Sequence, residues 1–186
     1  MLEKLFTSKT RVKILEYLLF KSQETYIRKI ARELKISPSA VKREIDSLAS
    51  LAIIRVNQNR IILNEKCNFL KDLKNIFIKS DFIIYPLSKV LIDKKIKYAF
   101  IFGSFARGDY KDYSDLDLMV IGDIKSFNLY KRIKPVEGVI KKDINPVIWT
   151  LENLKKEKVS SFIKDIFKKG IIMIKGDENE LREIIE

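Results

Sequence analysis

A continuous apolar run over residues 98–102 stops abruptly at Gly103-Ser104. A run without a polar face predicts a strand that other elements cover on both sides. Strand and helix patterns then alternate to the end of the chain, with strands over residues 115–121, 144–149 and 171–174 and helices over residues 126–140, 151–169 and 178–185. Residues 96–186 are therefore predicted to form a small α/β domain with a mixed sheet, within an α+β chain.

The loop after this strand has the residues of a phosphate site. A glycine at the end of a buried strand allows backbone N–H groups to approach a phosphate closely, and Ser104 adds a hydroxyl donor. Arg107 and Lys111 follow in the same loop and supply positive charge. Gly103, Ser104, Arg107 and Lys111 are thus the predicted nucleotide-binding residues.

Two aspartates, Asp115 and Asp117, are spaced two residues apart on the next predicted strand, so their carboxylates share one face. Leu116 and Leu118 point to the opposite face, into the core. Adjacent carboxylates repel each other and are tolerated when a divalent cation lies between them. One or two Mg²⁺ ions, held by these aspartates and by the phosphates of a nucleoside triphosphate, are the predicted cofactor.

The composition restricts the chemistry further. The chain has no histidine and one cysteine, Cys67, which excludes Ser-His-Asp triads, histidine bases and a cysteine-rich zinc site. Any metal must therefore be a hard ion with oxygen ligands.

The spacing Gly-Ser, ten residues, Asp-x-Asp resembles the nucleotidyltransferase superfamily that includes DNA polymerase β. The minimal nucleotidyltransferases are more similar still, through two matching segments, Gly103-Ser104-Phe105-Ala106-Arg107-Gly108 and Ser114-Asp115-Leu116-Asp117-Leu118. This resemblance covers about residues 96–150. It implies that Asp115 and Asp117 are catalytic metal ligands, that Gly103 and Ser104 hold a triphosphate, and that an acceptor hydroxyl displaces pyrophosphate.

The family has a third carboxylate on a neighbouring strand, where it helps to activate the acceptor. That position falls best on Asn145, an amide, whereas Asp143 lies two residues earlier on the same face. Either Asp143 replaces the missing acid or the domain binds a nucleotide without turning it over. Two functions follow: a DNA-binding nucleotidyltransferase, or a transcription regulator whose nucleotidyltransferase fold is a nucleotide sensor.

The first 65 residues have the element order of a winged helix-turn-helix. Ser8 is predicted to cap the first helix, Ser37-Pro38 separates the second helix from the third, and two β-rich runs flank a polar tip over residues 57–60. The pattern resembles the winged-helix domains of archaeal and bacterial transcriptional regulators. The residues expected to contact duplex DNA are on the third helix and the wing, namely Ser39, Lys42, Arg43 and Arg60.

A net charge of +12 also favours a polyanionic partner, although an abundance of lysine throughout the chain would give the same number. The alternative for the first 65 residues is a helical module that binds protein or forms a dimer. Because minimal nucleotidyltransferases are often antitoxins, the resemblance also implies a partner protein.

Residues 66–95 are predicted to be an amphipathic helical connector, with Phe69, Leu70, Leu73, Ile76 and Phe77 on one side. The connector could pack on either domain or on a second copy of the chain, so a homodimer stays open. No apolar segment approaches the roughly 20 residues of a membrane helix, and the N-terminus is charged. We therefore expect a cytoplasmic protein without a membrane partner.

Overall fold

A computed structural model describes residues 2–111 and 113–185. The chain divides between Asp81 and Phe82 into two compact units, each with its own sheet. Within the described ranges, no helix has both the length and the apolarity that crossing a bilayer would require.

The first unit is a helical bundle with a three-stranded antiparallel sheet in the order β1-β3-β2. Its elements are α1 (Leu2–Leu5), α2 (Lys9–Phe20), β1 (Glu24–Thr25), α3 (Ile27–Leu34), α4 (Pro38–Ser50), β2 (Ile54–Asn57), β3 (Arg60–Leu63) and α5 (Leu70–Phe77). This arrangement confirms the winged helix-turn-helix predicted from the sequence. It adds α1 and β1, which the sequence analysis did not identify.

Both predicted helix caps are present. The Ser8 hydroxyl accepts a hydrogen bond from the Arg11 N–H (3.1 Å), and the Ser37 hydroxyl accepts one from the Ala40 N–H (3.3 Å). Each bond satisfies an N–H group that has no partner within its own helix. The cap at Ser37, followed by Pro38 in the first helical position, fixes where the third helix of the motif begins.

The wing turns at Gln58 and Asn59, whose φ angles of 46° and 70° are both left-handed. Two consecutive left-handed residues are typical of the two-residue hairpin turn that follows the natural twist of paired strands. The turn pairs Asn57 with Arg60 and places Ile61 and Leu63 in the core. The predicted hairpin is confirmed.

The connector is not one continuous helix. It forms α5 and then α6 (Ile84–Val90), with an irregular turn at Ile78–Phe82 between them. Ser80 has non-helical angles (φ −101°, ψ −149°), and its hydroxyl donates to the Phe77 carbonyl (2.9 Å), a local bond that competes with helical pairing. Of the five predicted apolar-face residues, the structure buries three, Leu70, Leu73 and Phe77.

The second unit has a four-stranded mixed sheet in the order β6-β5-β4-β7, in which β5 and β6 are parallel and the other pairs antiparallel. Its further elements are β4 (Ile96–Phe102), α7 (Gly103–Arg107), β5 (Leu116–Gly122), α8 (Ser126–Ile140), β6 (Ile144–Trp149), α9 (Leu151–Lys156), α10 (Ser161–Lys169), β7 (Ile172–Lys175) and α11 (Glu178–Ile185). The predicted α/β domain with a mixed sheet is confirmed.

One face of this sheet and the helices that follow it form a single apolar cluster. The sheet contributes Tyr98, Phe100, Phe102, Met119 and Ile121. The helices contribute Leu154, Ile163, Ile166, Phe167 and Leu181. Side chains alternate along a strand, and Met119 and Ile121 of this cluster follow Asp117 by two and four residues. Asp117 therefore lies on the same face of the sheet as the cluster.

Candidate functional site

Gly103 and Asp117 are in close contact where β4 ends. Phe102 is the cross-strand partner of Asp117, so the next residue, Gly103, turns directly over the aspartate. Gly103 has a φ of +70°, and a Cβ atom built on it would lie 2.1 Å from Asp117 Oδ2. A Cβ atom at this position would displace the Asp117 carboxylate, and glycine adopts a left-handed φ at less cost than residues with a Cβ.

The turn after Gly103 is short and closed. The Ser104 carbonyl accepts the N–H groups of Gly108 (2.9 Å) and Asp109 (3.1 Å), which ends α7 after five residues. Buried Phe105 stacks on Tyr110, with ring centroids 4.2 Å apart and planes within 7°. The stacked rings anchor the loop that leads from the predicted phosphate residues to Asp115.

Arg107 and Lys111, two of the predicted nucleotide-binding residues, make different contacts in the structure. The Arg107 Nε donates to Asp109 Oδ2 (2.9 Å), and its positive charge opposes the rise in the pKa of Asp117 that burial causes. Lys111 contributes through its backbone, because its N–H donates to the Ser114 hydroxyl (2.9 Å) and its carbonyl accepts Lys142 Nζ (3.3 Å). Arg107 thus acts on the acidic pair electrostatically, while Lys111 shapes the loop before it.

Asp115 and Asp117 form the acidic pair. Asp117 is half-buried on β5, whereas Asp115 is exposed immediately before the strand. Burial raises the pKa of the Asp117 carboxyl above its usual range, and the charge of Asp115 raises it further. A hydrogen bond from Asn145 and the guanidinium of Arg107 oppose this shift without cancelling it.

Asn145 occupies the position across from the pair. It is the register partner of Asp117 on the parallel strand β6, and its amide donates a hydrogen bond to the Asp117 carboxylate. Asp143 precedes β6, where its carbonyl accepts the Leu116 N–H (2.9 Å). The charge of the Asp143 carboxylate contributes to the raised pKa of Lys134 on α8, whose main cause is a hydrogen bond to Glu137.

Divalent cations fit the donor set at this site. Asp115 and Asp117 offer hard oxygen ligands, and a bound cation would favour the ionised form of Asp117, whose pKa burial raises. Across residues 2–111 and 113–185, no group of three or more acidic or cysteine side chains is arranged to hold a metal. Among the described residues, Asp115 and Asp117 are the candidate protein ligands at this site.

Two residues that position the site were not identified from the sequence. Lys142 is buried (7% exposed) with its Nζ against the Lys111 carbonyl, beneath the loop that carries Asp115. Glu137 accepts the Ile144 N–H (2.9 Å) and pairs with Lys134 (2.7 Å), which fixes the start of β6 one residue before Asn145. Neither lies in a periodic pattern or motif that signals its role.

The predicted DNA-contacting residues of the first unit are all exposed. Ser39, Lys42 and Arg43 lie on α4, where Lys42 pairs with Asp46 one turn later (2.8 Å). Arg60 begins β3, immediately after the turn of the wing, and pairs with Glu24 on β1 (3.0 Å).

A groove of about 620 Å³ lies beside these residues, between the starts of α3 and α4 and the wing. Its lining residues are Tyr26, Ile27, Arg28, Pro38, Lys42 and Asn59. Of these, only Lys42 was among the predicted DNA-binding residues. Tyr26, Arg28 and Asn59 are exposed and add hydrogen-bond donors and a second positive charge to the same surface.

A small mixed sheet with a glycine turn against an aspartate pair is the site architecture of nucleotidyl transfer, and the sequence comparisons agree. Residues 86–179 match the family described as polymerase beta, nucleotidyltransferase. The chain belongs to this family. Residues 8–54 match the bacterial regulatory protein family arsR, which agrees with the helix-turn-helix order of the first unit.

A curated relative is similar to part of the chain. The Methanocaldococcus jannaschii protein named "Putative protein adenylyltransferase MJ0604" is 30% identical over 82 residues, covering 42% of this chain and 79% of the relative. Because most of the relative is covered at this identity, the similarity independently supports membership of the nucleotidyltransferase family.

Two solved structures have a weaker likeness to the chain. One is a chain of a toxin–antitoxin crystal structure with AMP-PNP, with 14% identity, a TM-score of 0.42, and coverage of 55% of this chain and 80% of that chain. The other is a chain of the tri-AMPylated Shewanella oneidensis HEPN toxin in complex with MNT antitoxin, with 14% identity, a TM-score of 0.37, and coverage of 62% and 80%.

Proposed function

We propose that this protein binds duplex DNA through residues 1–65 and transfers a nucleotidyl group from a nucleoside triphosphate, with Mg²⁺, through residues 96–186. Residues 66–95 connect the two activities. The observation that carries the proposal is the contact between Gly103 and Asp117, beside Asp115. Because Gly103 has no Cβ, the turn approaches the half-buried Asp117 carboxylate directly, so the N–H groups of the turn and the two carboxylates can act on one phosphate and its cation.

In the proposed reaction, an acceptor hydroxyl oxygen forms a bond to the α-phosphorus and releases its proton to solvent, while the bond from that phosphorus to the pyrophosphate oxygen breaks and pyrophosphate leaves. Backbone N–H groups at Gly103 and Ser104, with the Ser104 hydroxyl, bind the triphosphate and hold it for in-line attack. Asp115 and Asp117 would hold Mg²⁺, which when bound neutralises charge on the attacking and leaving oxygens. Arg107 adds positive charge beside the phosphates.

We propose ATP as the donor and a protein hydroxyl as the acceptor. The support is the curated relative, whose name describes protein adenylyl transfer and most of whose length this chain covers. The site itself places no residue that would select one acceptor.

The experiment is transfer of label from each of four α-³²P-labelled nucleoside triphosphates, with Mg²⁺, to proteins of a prokaryotic lysate. We expect label from ATP, and we expect Asp117→Asn to remove it because a carboxamide is a poor magnesium ligand. Asp123→Asn, at an exposed aspartate after β5, is the matched control and should retain transfer. Equal labelling by the two variants would overturn the assignment of Asp117.

Asn145 favours a second candidate, a transcription regulator that senses a nucleotide without turning it over. An amide opposite Asp117 cannot act as a base near neutral pH, so the acceptor side of the site has one charge fewer than the family pattern. A sensor would be stabilised thermally by ATP with Mg²⁺ and would change its DNA affinity, yet would transfer no label. Label transfer by the wild-type protein would exclude this candidate.

A further inference from the structure

Three aromatic rings form a cluster beside the acidic pair. Phe162 contacts Phe102 edge-to-face, with centroids 6.0 Å apart and planes at 88°, and it contacts Trp149 at 5.9 Å and 56°. Phe102 is buried at the end of β4, Trp149 is half-buried at the end of β6, and Phe162 begins α10. We call these residues the aromatic shelf.

The aromatic shelf borders the phosphate turn. Phe102 is directly opposite Asp117 and immediately precedes Gly103. Asn145 and Trp149 are four residues apart on β6, an even spacing, so both side chains lie on the same face of the sheet as Asp117. The helix α10 also packs against α7, the turn that begins at Gly103. Phe102 and Phe162 are therefore next to the site at which a triphosphate would lie, whereas Trp149, the register partner of Ile121, lies four residues further along β6 from Asn145.

Phe162 is exposed, although the other apolar residues of α10 are buried. Ile163, Ile166 and Phe167 are buried, whereas 43% of Phe162 is open to solvent. The contacts with Phe102 and Trp149 hold the ring in place on its inner side. An aromatic ring fixed by two neighbours and open on its outer side offers a rigid stacking surface at little cost in entropy.

We propose that Phe162 is the platform on which the base of the bound nucleotide stacks. This proposal rests on the proposed function, because the phosphates at Gly103 and Ser104 bring the base to the shelf. Every base has a flat π-face, so stacking alone accepts all four nucleotides. The two fused rings of a purine cover more of the phenyl face than a pyrimidine does, so ATP and GTP bind more tightly than CTP and UTP.

Trp149 gives a direct test, because it is the only tryptophan of the chain and its ring contacts Phe162. ATP with Mg²⁺ should change Trp149 fluorescence, and inorganic tripolyphosphate with Mg²⁺, which has no base, should bind with a much smaller change. In Phe162→Leu, which keeps an apolar side chain and removes the ring, ATP affinity should fall roughly ten- to a hundredfold. Tripolyphosphate affinity should stay the same.

Phe127→Leu, at a 77% exposed phenylalanine on α8, is the matched control and should leave both affinities unchanged. Loss of ATP and tripolyphosphate affinity together in Phe162→Leu would give the ring a structural role and overturn the proposal. Unchanged ATP affinity in Phe162→Leu would also overturn the proposal, even if the KM for the acceptor rose. A wild-type protein that binds neither ligand would instead refute the proposed nucleotide site.

Discussion

Asp117 and Asn145 face each other across the parallel strands β5 and β6, and the Asn145 amide donates a hydrogen bond to the Asp117 carboxylate. This bond offsets part of the rise in the pKa of Asp117 that burial and Asp115 cause. The neutral partner thus holds the carboxylate in place without adding negative charge. We propose that Asn145 occupies the position of the third acid in the family pattern, so that the site keeps the aspartates that bind the nucleotide and lacks the carboxylate that activates the acceptor.

Asn145→Asp should therefore raise the rate of nucleotidyl transfer. A carboxylate at residue 145 can accept the proton of the attacking hydroxyl and can ligate a second cation, which an amide does poorly. A positioned general base contributes on the order of 10²-fold or more to a rate. The measurement is single-turnover label transfer from ATP at several Mg²⁺ concentrations, and the variant should reach its half-maximal rate at a lower Mg²⁺ concentration than the wild type.

Asp143→Ala distinguishes the alternative in which Asp143 supplies the missing acid. Since Asp143 lies before β6 and its charge acts on Lys134, we expect this variant to transfer label at the wild-type rate. A large loss in Asp143→Ala, together with no gain in Asn145→Asp, would mean that Asp143 is the third acid.

Gly103→Ala should abolish nucleotide binding and destabilise the second unit. The added Cβ would lie 2.1 Å from Asp117 Oδ2, and a left-handed φ costs an alanine roughly 1–2 kcal/mol. Urea unfolding and ATP titration measure the two effects.

Two other glycines distinguish the effect of the left-handed φ from the effect of a Cβ atom against Asp117. Gly170 also has a positive φ, with nothing within 4 Å of an added Cβ, so Gly170→Ala should lose stability while still binding ATP. Gly138→Ala, inside α8 with open space around it, should gain roughly 0.5–1 kcal/mol. Normal ATP binding by Gly103→Ala would remove the phosphate turn from the mechanism.

Local chemistry explains which parts of the fold the sequence predicts. Ser8 and Ser37 cap helices through bonds to residues three positions away, and the Gly103-Ser104 and Asp115-Asp117 spacings lie within one strand-turn-strand segment. Such features depend on short stretches of chain, which is why their positions could be predicted.

Long-range packing explains what the sequence does not predict. The two-residue strand β1 is too short to show a period, and it exists only because β3 pairs with it. Nothing in the sequence distinguishes Lys142 from a solvent-exposed lysine. It is buried where its Nζ contacts the Lys111 carbonyl, 31 residues earlier in the chain. Ser80 interrupts a helix although apolar residues continue on both sides, because its hydroxyl bonds the Phe77 carbonyl.

Asp93→Asn should destabilise the protein at neutral pH and have no effect in acid. The Lys95 N–H donates to Asp93 Oδ1 (3.0 Å) and Arg132 to Oδ2 (2.7 Å), and these contacts, Lys95 first, lower the pKa of Asp93. A lowered pKa in the folded state contributes stability that is present above the unfolded value of about 3.9 and is lost as pH falls through the folded value.

Urea midpoints measured between about pH 7 and pH 2 should therefore converge for Asp93→Asn and wild type at the acid end. Asp123→Asn, at an exposed aspartate, is the control for a general charge effect. A difference that stays constant with pH would show that packing, rather than ionisation, is what Asp93 contributes.

The last prediction concerns duplex DNA and the groove of the first unit. Lys42 and Arg43 are exposed on α4, and Arg28 lines the same groove as Lys42. If their charges neutralise phosphates, replacing all three with alanine should weaken binding and reduce the slope of log affinity against log salt by about 0.9 for each lost contact.

Fluorescence anisotropy with a mixed-sequence duplex over a range of KCl concentrations measures both quantities. The control must remove the same number of charges elsewhere, and Lys155→Ala combined with Lys156→Ala and Lys168→Ala does so at the exposed ends of α9 and α10 in the second unit. We expect this control to keep nearly the wild-type slope, because these lysines lie outside the unit whose charges are proposed to contact the phosphates. Equal slopes in the two variants would assign DNA binding to net charge alone, and an unchanged slope in the groove variant would place the DNA surface elsewhere.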